Sequence, residues 1–243
     1  MVRLACENPA WGYRRLEDEL AKLGFNIGET TIRDIFKRHR LLPAPKRSRK
    51  GSSWRTFLKH YQDQILACDF LTVETLGLQT VYILFFIHLA TRRVFVAGCA
   101  AHPDSAWVTQ QARQLTWILD ENQLPIRFLI HDRDTKFTTA FDTVFQSEGV
   151  EIIRTPFRSP NANAYAERWV RTLHEECLDR LIVLNQSRLR RILTEYSHYC
   201  NERRPHQGLN GTTPLPLDRP AIDAPIRRRE VLGGLIHDYY RVA

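Results

Sequence analysis

Three apolar runs with short turns between them lie in the first half of the chain and most constrain its fold. They span Ile65–Val73, Thr80–Leu89 and Arg93–Ala101, and they are rich in β-branched and aromatic residues. A glycine stands between the first two runs, and a Thr-Arg pair separates the second from the third. Strand-like runs joined by such short turns predict an antiparallel meander.

Helical and strand-like segments alternate after the meander. The pattern predicts, in order, a helix over 104–122, a strand over 126–130, a helix over 137–148, a strand over 151–155 and a helix from after Pro160 to about Leu181. Asp104 or Ser105 is the predicted cap of the first of these helices, because short polar side chains satisfy the free amides at a helix start. A meander followed by this alternation predicts an α/β fold, with a mixed central sheet and helices on both faces.

The first 42 residues predict a small helix-turn-helix-like region. One helix runs from Gly12 to Leu23, Gly24 provides a C-cap with positive φ, and a second helix begins near Thr30. Away from its apolar stripe, the second helix carries the basic side chains Arg33, Lys37 and Arg38. A basic second helix is typical of helix-turn-helix DNA-binding proteins, and a helical hairpin with a solvated basic face explains the same pattern equally well.

A basic linker is predicted over residues 43–59. Prolines, serines, a glycine and several basic side chains, Arg47 among them, cluster in a stretch that cannot bury a core. Arg47 is therefore a candidate contact for a DNA phosphate. The predicted organisation is a helix-turn-helix-like region over 1–42, this linker, a catalytic core over 60–184, and a C-terminal helical extension and tail over 185–243.

The charge balance favours a polyanionic partner. Lys and Arg number 35 against 27 Asp and Glu, which gives a formal net charge of +8. Nucleic acid is the commonest partner of this kind, although a basic balance alone is a weak signal. The 5 cysteines include no Cys-x-x-Cys pair, which favours free thiols in a reducing cytoplasm over disulfides or a zinc site. The most apolar stretch, Val81–Ala90, is too short to cross a bilayer, so we expect a cytoplasmic protein without a membrane partner.

Three acidic residues stand at positions that deserve a chemical interpretation. Asp69 lies inside the first strand run, Asp132 follows the strand that ends at Ile130, and Glu167 lies one to two turns into the last helix of the core. Open α/β sheets carry their chemistry at the carboxyl ends of their strands. Each acid also has an ordinary interpretation, as a strand-end cap, as a turn former and as half of an ion pair with Arg171, respectively.

A cluster of three carboxylates suits magnesium-dependent phosphodiester chemistry. The reaction needs an activated water or 3′-hydroxyl and a stabilised leaving oxygen, and two Mg²⁺ ions roughly 3.5–4 Å apart supply both. Mg²⁺ prefers carboxylate oxygens and water, and Mn²⁺ is the expected substitute. Three acids in one confined site also repel one another unless cations are bound. Asp69, Asp132 and Glu167 are thus candidate metal ligands, and the ordinary interpretations stay open beside this one.

The segments around these acids resemble the integrase-core transposases of bacterial insertion sequences, which are relatives of retroviral integrases. The resemblance rests on the segments Trp11–Leu16, Ile65–Val73, His131–Phe137, Ser159–Trp169 and Tyr199–Leu209. It extends over nearly the whole chain, from residue 7 to about residue 216. The fold that it implies is ribonuclease-H-like, a five-stranded mixed sheet with flanking helices.

The resemblance also implies a site and a reaction. The family's Asp-Asp-Glu triad falls on Asp69, Asp132 and Glu167, and the last two are 35 positions apart (167 − 132). The implied enzyme uses Mg²⁺ to release 3′-hydroxyls at the ends of a mobile element and joins them to target DNA, without a covalent protein–DNA intermediate. Element ends and target DNA are the implied partners, with a homo-oligomer on the DNA at the nucleoid. Many relatives have a glycine two positions after the second acid; here Asp134 stands there and competes with Asp132 as a ligand.

Further basic residues near the predicted acids are candidates for contacts to DNA phosphates. They are Lys136, Arg168, Arg171 and His174, and a solvated basic face explains them nearly as well. Two other functions remain open beside the transposase. A catalytically inactive DNA-binding remnant or repressor would fold without cutting, and the intact triad argues against it. A ribonuclease-H-type nuclease would cleave RNA–DNA hybrids, and the basic helix-turn-helix-like region argues against it.

Overall fold

The computed structural model describes residues 1–8, 11–39, 41, 53–155, 163–217 and 223–242. The candidate phosphate contact Arg47 lies outside these residues, as do residues 159–162 of the segment that carries part of the family resemblance. The fold and the sites below concern the described residues.

A five-stranded mixed sheet forms the centre of the molecule. Its strands are β1 (Ile65–Glu74), β2 (Thr80–His88), β3 (Val94–Ala100), β4 (Phe128–His131) and β5 (Glu151–Arg154), in the spatial order β3-β2-β1-β4-β5. β1, β2 and β3 pair antiparallel, β4 pairs parallel with β1, and β5 pairs parallel with β4. This strand order with these directions is the ribonuclease-H-like topology, and the predicted fold class is confirmed.

Helices flank the sheet and precede it. They are α1 (Val2–Glu7), α2 (Tyr13–Lys22), α3 (Glu29–Arg38), α4 (Ser53–His60), α5 (Ser105–Glu121), α6 (Thr139–Ser147), α7 (Ala164–Glu176) and α8 (Gln186–Glu202). Asp104 caps α5 as predicted, because its side chain accepts a hydrogen bond from the Trp107 amide at 2.7 Å. Gly24 has the predicted positive φ, 87°. Within the described ranges, no helix combines the length and the apolar character needed to cross a membrane.

Alternate residues of β1 supply two cores, one on each face of the sheet. Ile65 and Ala67 pack with α7 and α8 on one face, whereas Leu66 and Cys68 pack with α5 and α6 on the other. This period of two follows from strand geometry, in which successive side chains point to opposite faces. Because both faces are covered, the central strands β1 and β2 are nearly continuous apolar runs in the sequence. Because these strands are apolar on both faces, a polar residue within them or at their ends requires a specific explanation.

Two segments depart from the organisation expected from the sequence. α4 begins inside the stretch predicted as a linker, because Phe57 and Leu58 pack onto the core and the Phe57 ring lies 5.4 Å from that of Phe128. Near the C-terminus, where a helical extension and tail were expected, the chain forms a hairpin of β6 (Ile226–Val231) and β7 (Ile236–Arg241). α8 is helical as expected, but it packs within the main core.

The N-terminal helices dock onto the C-terminal hairpin. α1, α2 and α3 surround a core of their own that includes Leu16 and Ile32, and Tyr239 of β7 packs against it. Lys22 of α2 donates from Nζ to Asp238 Oδ1 at 2.9 Å, and both side chains are buried. The helix-turn-helix-like region is therefore held against the rest of the molecule by apolar contacts and by a buried ion pair.

A buried carboxylate, Glu176 at the end of α7, ties these helices to the main core. It is ion-paired with Arg15 of α2, and Arg204 donates from Nη2 to Glu176 Oε1 at 2.9 Å. Tyr196 of α8 donates its hydroxyl to Glu176 Oε2 at 3.1 Å. Burial opposes the ionisation of Glu176, but Arg15 and Arg204 outweigh it and lower the pKa of Glu176 to about 2. Three distant parts of the chain therefore meet on one charged group.

Candidate active site

Asp69 and Asp132 lie side by side on neighbouring parallel strands. In the pairing of β1 with β4, Ile65 stands opposite Phe128 and Ala67 opposite Ile130, a constant offset of 63 positions (128 − 65). The same offset carries Asp69 to Asp132, immediately after β4 ends at His131. Neighbouring strands are roughly 4.8 Å apart, so the two carboxylates lie close together at this edge of the sheet.

Glu167 reaches the same edge because the start of α7 is anchored to β1. Asn163, directly before the helix, donates from Nδ2 to the carbonyl oxygen of Cys68 at 3.0 Å. Residues four apart share one face of a helix, so Glu167 projects from the side on which Asn163 contacts β1. Trp169 holds the helix in this position, since its ring lies 4.3 Å from that of Phe85 in the core.

Negative charge is concentrated around Asp69. Burial and then the charge of Asp132 raise the pKa of the Asp69 carboxyl to about 7. Glu167 and Asp134 act in the same direction, and the amide of Phe70, which donates to the carboxylate at 2.8 Å, acts against them. Burial also raises the pKa of Glu167. The predicted acids are thus close enough to repel one another, as uncompensated carboxylates in one site must.

The donor set fits a hard divalent cation, although the side chains are not arranged around one. Within the described residues, no three His, Cys, Asp or Glu side chains form a ready metal-binding group. Glu167 is exposed at the start of α7. Among the described residues, it does not form the ion pair with Arg171 that was its ordinary interpretation. Mg²⁺ prefers carboxylate oxygens as ligands. A bound Mg²⁺ would also compensate the repulsion between these carboxylates.

The loop after β4 distinguishes Asp132 from Asp134. Asp134 is occupied by Lys136, which donates from Nζ to its two oxygens at 3.1 and 2.8 Å and from its amide at 2.9 Å. Asp132 Oδ1 accepts the amide of Asp134 at 2.9 Å, which fixes its carboxylate at the strand end. Asp132 is therefore fixed at the strand end, where its charge acts on Asp69, while Asp134 is paired with a neighbouring ammonium group.

A comparison with protein families gives a match to the part of the chain that contains Glu167. Residues 148–214 match the family model described as "Integrase core domain". Over these residues the chain is similar to an integrase core domain. The matched residues contain Glu167, α7, α8 and the segment Tyr199–Leu209 on which the resemblance was based, and the resemblance is confirmed. Asp69 and Asp132 lie N-terminal to the matched residues. The folding of the sheet and of α7 brings them to the same edge as Glu167.

Comparison with solved structures returns transposase and integrase catalytic domains. The catalytic domain of Mos1 mariner transposase is 12% identical with a TM-score of 0.49, covering 60% of this chain and 77% of that one. Mos1 transposase catalytic domain with raltegravir and Mg is 11% identical with a TM-score of 0.49, covering 77% and 84%. The HTLV-2 integrase catalytic core in complex with magnesium, in its dimeric form, is 12% identical with a TM-score of 0.44, covering 63% and 93%. No curated protein matches the chain. The fold assignment therefore rests on the strand order and directions of the sheet.

The predicted DNA contacts of the chain fall into two groups. Arg168, Arg171 and His174 lie on α7 with Glu167, and His174 Nδ1 is 2.9 Å from Asp179 Oδ1. Lys136 lies beside the acids, but its ammonium is held by Asp134. The others lie on α3 in the N-terminal region: Arg33, which is ion-paired with Glu29, and the exposed residues Lys37 and Arg38. All of these remain predictions as DNA contacts.

A buried network behind Asp132 is absent from the sequence-based prediction. His131 is 1% exposed; its Nδ1 lies 2.6 Å from the main-chain oxygen of Asp132 and its Nε2 lies 3.0 Å from Asp142 Oδ1. Arg154 of β5 donates to Asp142 Oδ2 at 2.5 Å. The available signal was Asp142 itself, a carboxylate on the face of α6 that also carries the buried Phe141 and Phe145. The network links β4, β5 and α6 at the strand end that presents Asp132.

Asp142→Asn is expected to weaken the binding of Mg²⁺ at the predicted acids by about 10–100-fold, because groups that orient a metal ligand typically contribute this much. A calorimetric Mg²⁺ titration of the variant and the wild type measures this, with Glu148→Gln at the exposed end of α6 as the control. An unchanged Mg²⁺ affinity in Asp142→Asn would remove the positioning role.

Proposed function

We propose that the chain is a DNA transposase or integrase that cleaves and joins phosphodiester bonds with Asp69, Asp132 and Glu167 as metal ligands. The position of three acids at one edge of the sheet carries the proposal. The parallel register of β1 and β4 supports the proximity of Asp69 and Asp132, and the Asn163 contact to β1 supports that of Glu167. The integrase-core match over residues 148–214 supports the same class of reaction.

The proposed cofactor is Mg²⁺, with Mn²⁺ as a substitute. Asp69 and Asp132 would hold it from neighbouring strands, and Glu167 would add its oxygens from the first turns of α7. The bound cation supplies activation of the attacking oxygen and stabilisation of the leaving oxygen. The part of the protein is to hold the three carboxylates in place. Burial and then the charge of Asp132 raise the pKa of Asp69, and a bound cation would offset both effects.

The proposed partner is DNA, at the element ends and at the target. Arg168, Arg171 and His174 share α7 with Glu167, so phosphates bound by them would lie beside the acids. A homo-oligomer on DNA, in the cytoplasm at the nucleoid, completes the proposal. No ATP requirement is expected, because the sequence contains no glycine-rich phosphate loop.

The test compares two neighbouring acids, Asp132 and Asp134. Asp132→Asn is expected to lower the rate of strand joining by about 10³-fold or more, since a ligand of the metal is lost. Asp134→Asn should stay within about tenfold of the wild type, since its carboxylate is already paired with Lys136. The assay follows joining of a labelled duplex that ends in the DNA flanking the gene, with Mg²⁺ or Mn²⁺. A larger loss in Asp134→Asn than in Asp132→Asn would contradict the assignment.

A second candidate function is an inactive DNA-binding remnant or repressor. The observation that favours it is that no ready metal-binding group forms among the described side chains. The two functions differ in one measurement: wild-type protein that binds the labelled duplex but joins none of it in Mg²⁺ or Mn²⁺ would be the remnant. Joining that disappears on chelation of the metal would be the enzyme.

A further inference from the structure

The turn between β2 and β3 carries two consecutive arginines that point to opposite faces of the sheet. Arg93 points toward α5, where it donates from Nη1 to Asn122 Oδ1 at 2.7 Å. Arg92 points toward α7, where its guanidinium carbon lies 4.2 Å from the centre of the Tyr165 ring. The same guanidinium group meets Gly208, at which a Cβ would lie only 3.2 Å from Arg92 Nε. Arg92 therefore has a fitted position against the first turn of α7.

The partly buried guanidinium of Arg92 has no counter-charge within the described ranges. No carboxylate pairs with it there, and its Nη1 is buried without a hydrogen-bond partner. Burial lowers the pKa of Arg92, and the charge of Arg168, another cation, acts in the same direction. The backbone of Arg92 also has a φ of 62°, in the left-handed region that side chains adopt only at a cost. Such a cation destabilises the free protein unless an anion binds beside it.

A second cation without a counter-charge lies on the same side of α7. Arg168 follows Tyr165 by three positions, so it projects from the helix face on which Arg92 covers the Tyr165 ring. The side chain of Arg168 is exposed and forms no ion pair or hydrogen bond in the part of the chain that the structure describes. Two uncompensated guanidinium groups suit one anion, and a phosphate has acceptor oxygens for both.

This pair of arginines lies across α7 from the acids. Tyr165 and Glu167 are two positions apart, which is about 200° around an α-helix. An anion at Arg92 and Arg168 is thus separated from the Glu167 side of α7 by about 10 Å, the width of a helix. One strand of a duplex carries a phosphate about every 3.4 Å along the axis, so this separation corresponds to about three nucleotides.

We propose that Arg92 and Arg168 together bind one phosphate of the DNA strand, about three nucleotides from the bond that is cut. The inference rests on the proposed function, because it takes DNA as the substrate. A phosphate held at this distance fixes which phosphodiester bond reaches the acids, since contacts to the DNA backbone set its register on a protein. The bound phosphate also supplies the counter-charge that Arg92 lacks in the free protein.

The test measures the affinity of the full chain for the labelled duplex at several salt concentrations, without divalent metal. Each phosphate contact contributes about 0.9 to the slope of log Kd against log salt concentration, so Arg92→Gln should lower this slope by about 1 and weaken binding at least about fivefold near 0.1 M salt. Arg92→Lys keeps the charge and should keep the slope. Arg93→Gln is the matched control, because it removes the same charge from the other face of the sheet and should change neither quantity.

A double variant tests whether the two arginines share one phosphate. Arg168→Gln alters an exposed side chain and should lower the slope about as much as Arg92→Gln does. Arg92→Gln combined with Arg168→Gln should lower the slope by little more than either change alone, because residues that contact one group are not additive. Two independent and additive losses would contradict the shared site.

Stability measurements separate this role from a structural one. The melting temperature of free Arg92→Gln should stay within about 2 °C of the wild type, because glutamine removes the uncompensated charge together with the ring contact. An unchanged slope in Arg92→Gln overturns the proposal. If millimolar inorganic phosphate then stabilises the wild type but not this variant, the site belongs to a free anion. Because no metal is present, a chain that binds DNA through Arg92 but joins no strands would refute the proposed chemistry and leave this site standing.

Discussion

Asp69→Asn is expected to abolish metal-dependent joining of DNA strands and, at the same time, to make the metal-free protein more stable. The rate should fall by about 10³-fold or more, because the loss of a carboxylate ligand removes several kcal/mol of transition-state stabilisation. DNA affinity should not fall, since Asp69 carries a negative charge and does not bind phosphate. The stability change has the opposite sign because Asp69 lies next to Asp132 and is partly buried.

The sign of the stability change follows from the pKa of Asp69. Folding raises it from 3.8 to about 7, so the folded state disfavours the ionised carboxyl. The contribution of Asp69 to stability is complete below pH 4, is lost as the pH rises toward 7, and stays lost above pH 7. Asparagine cannot ionise and escapes this loss. At pH 8 without metal, the free energy of unfolding of Asp69→Asn should exceed that of the wild type by up to about 4 kcal/mol.

Two measurements on the same protein preparations check this prediction. Denaturant unfolding at pH 4 and pH 8 gives the free energies of unfolding. The wild type and Asp69→Asn should differ in this quantity far more at pH 8 than at pH 4. Mg²⁺ should stabilise the wild type at pH 8 and have little effect on Asp69→Asn, because a cation bound to the folded state alone shifts the equilibrium toward it. Strand joining retained in Asp69→Asn would remove Asp69 from the site whatever the unfolding curves show.

Glu176→Gln is expected to destabilise the fold by about 3–5 kcal/mol, the usual cost of removing one partner from a buried ion pair. Glutamine keeps the shape of the side chain but leaves the buried guanidinium groups of Arg15 and Arg204 without their counter-charge. Glu175→Gln is the matched control, because Glu175 is the exposed neighbour on the same helix and its loss should cost about 0.5 kcal/mol or less. Denaturant unfolding at pH 7 gives both values.

The same carboxylate makes the fold sensitive to acid. Its pKa is about 2 in the folded state against 4.5 in the reference state, so its stabilising contribution is present above pH 4.5 and is lost as the pH falls toward 2. The wild type should therefore lose about 3 kcal/mol over this range from Glu176 alone. Glu176→Gln should lack this part of the pH dependence. Parallel acid-unfolding curves for the wild type and the variant would contradict the assignment.

The sheet and the acids were predictable from the sequence because their causes are local. The apolar runs of β1 and β2 are continuous, since both faces of these strands are covered, and short turns join them. Asp132 follows a buried strand, which marks the edge where it lies. The sequence favoured Asp132 over Asp134 because Asp132 directly follows the strand. The ion pair of Asp134 with Lys136, which supports this choice, was not predictable, because it depends on the side chain of Lys136 folding back onto Asp134.

Other parts escaped prediction because their causes are distant or masked by composition. Arg15 and Glu176 are 161 positions apart, and nothing in either local pattern indicates the partner. The C-terminal hairpin had a turn signal in the sequence, the pair Gly233-Gly234. In the structure, these glycines adopt positive φ values of 65° and 91°. Three consecutive arginines in β6 concealed the alternation expected of a strand. A strand whose first five residues are exposed has no apolar period to detect.

The docking of α2 through Arg15 and Lys22 sets a length scale for the whole molecule. A region tethered only by a linker would search a wide volume, but α2 is ion-paired to Glu176 of α7 and to Asp238 of β7. α3 packs on α2 and is therefore held at a set distance from the edge that carries Asp69 and Asp132. If α3 binds DNA, the number of base pairs between the bound sequence and the cut is fixed by protein geometry. The protein would then cut the duplex at a constant distance from the sequence that α3 binds.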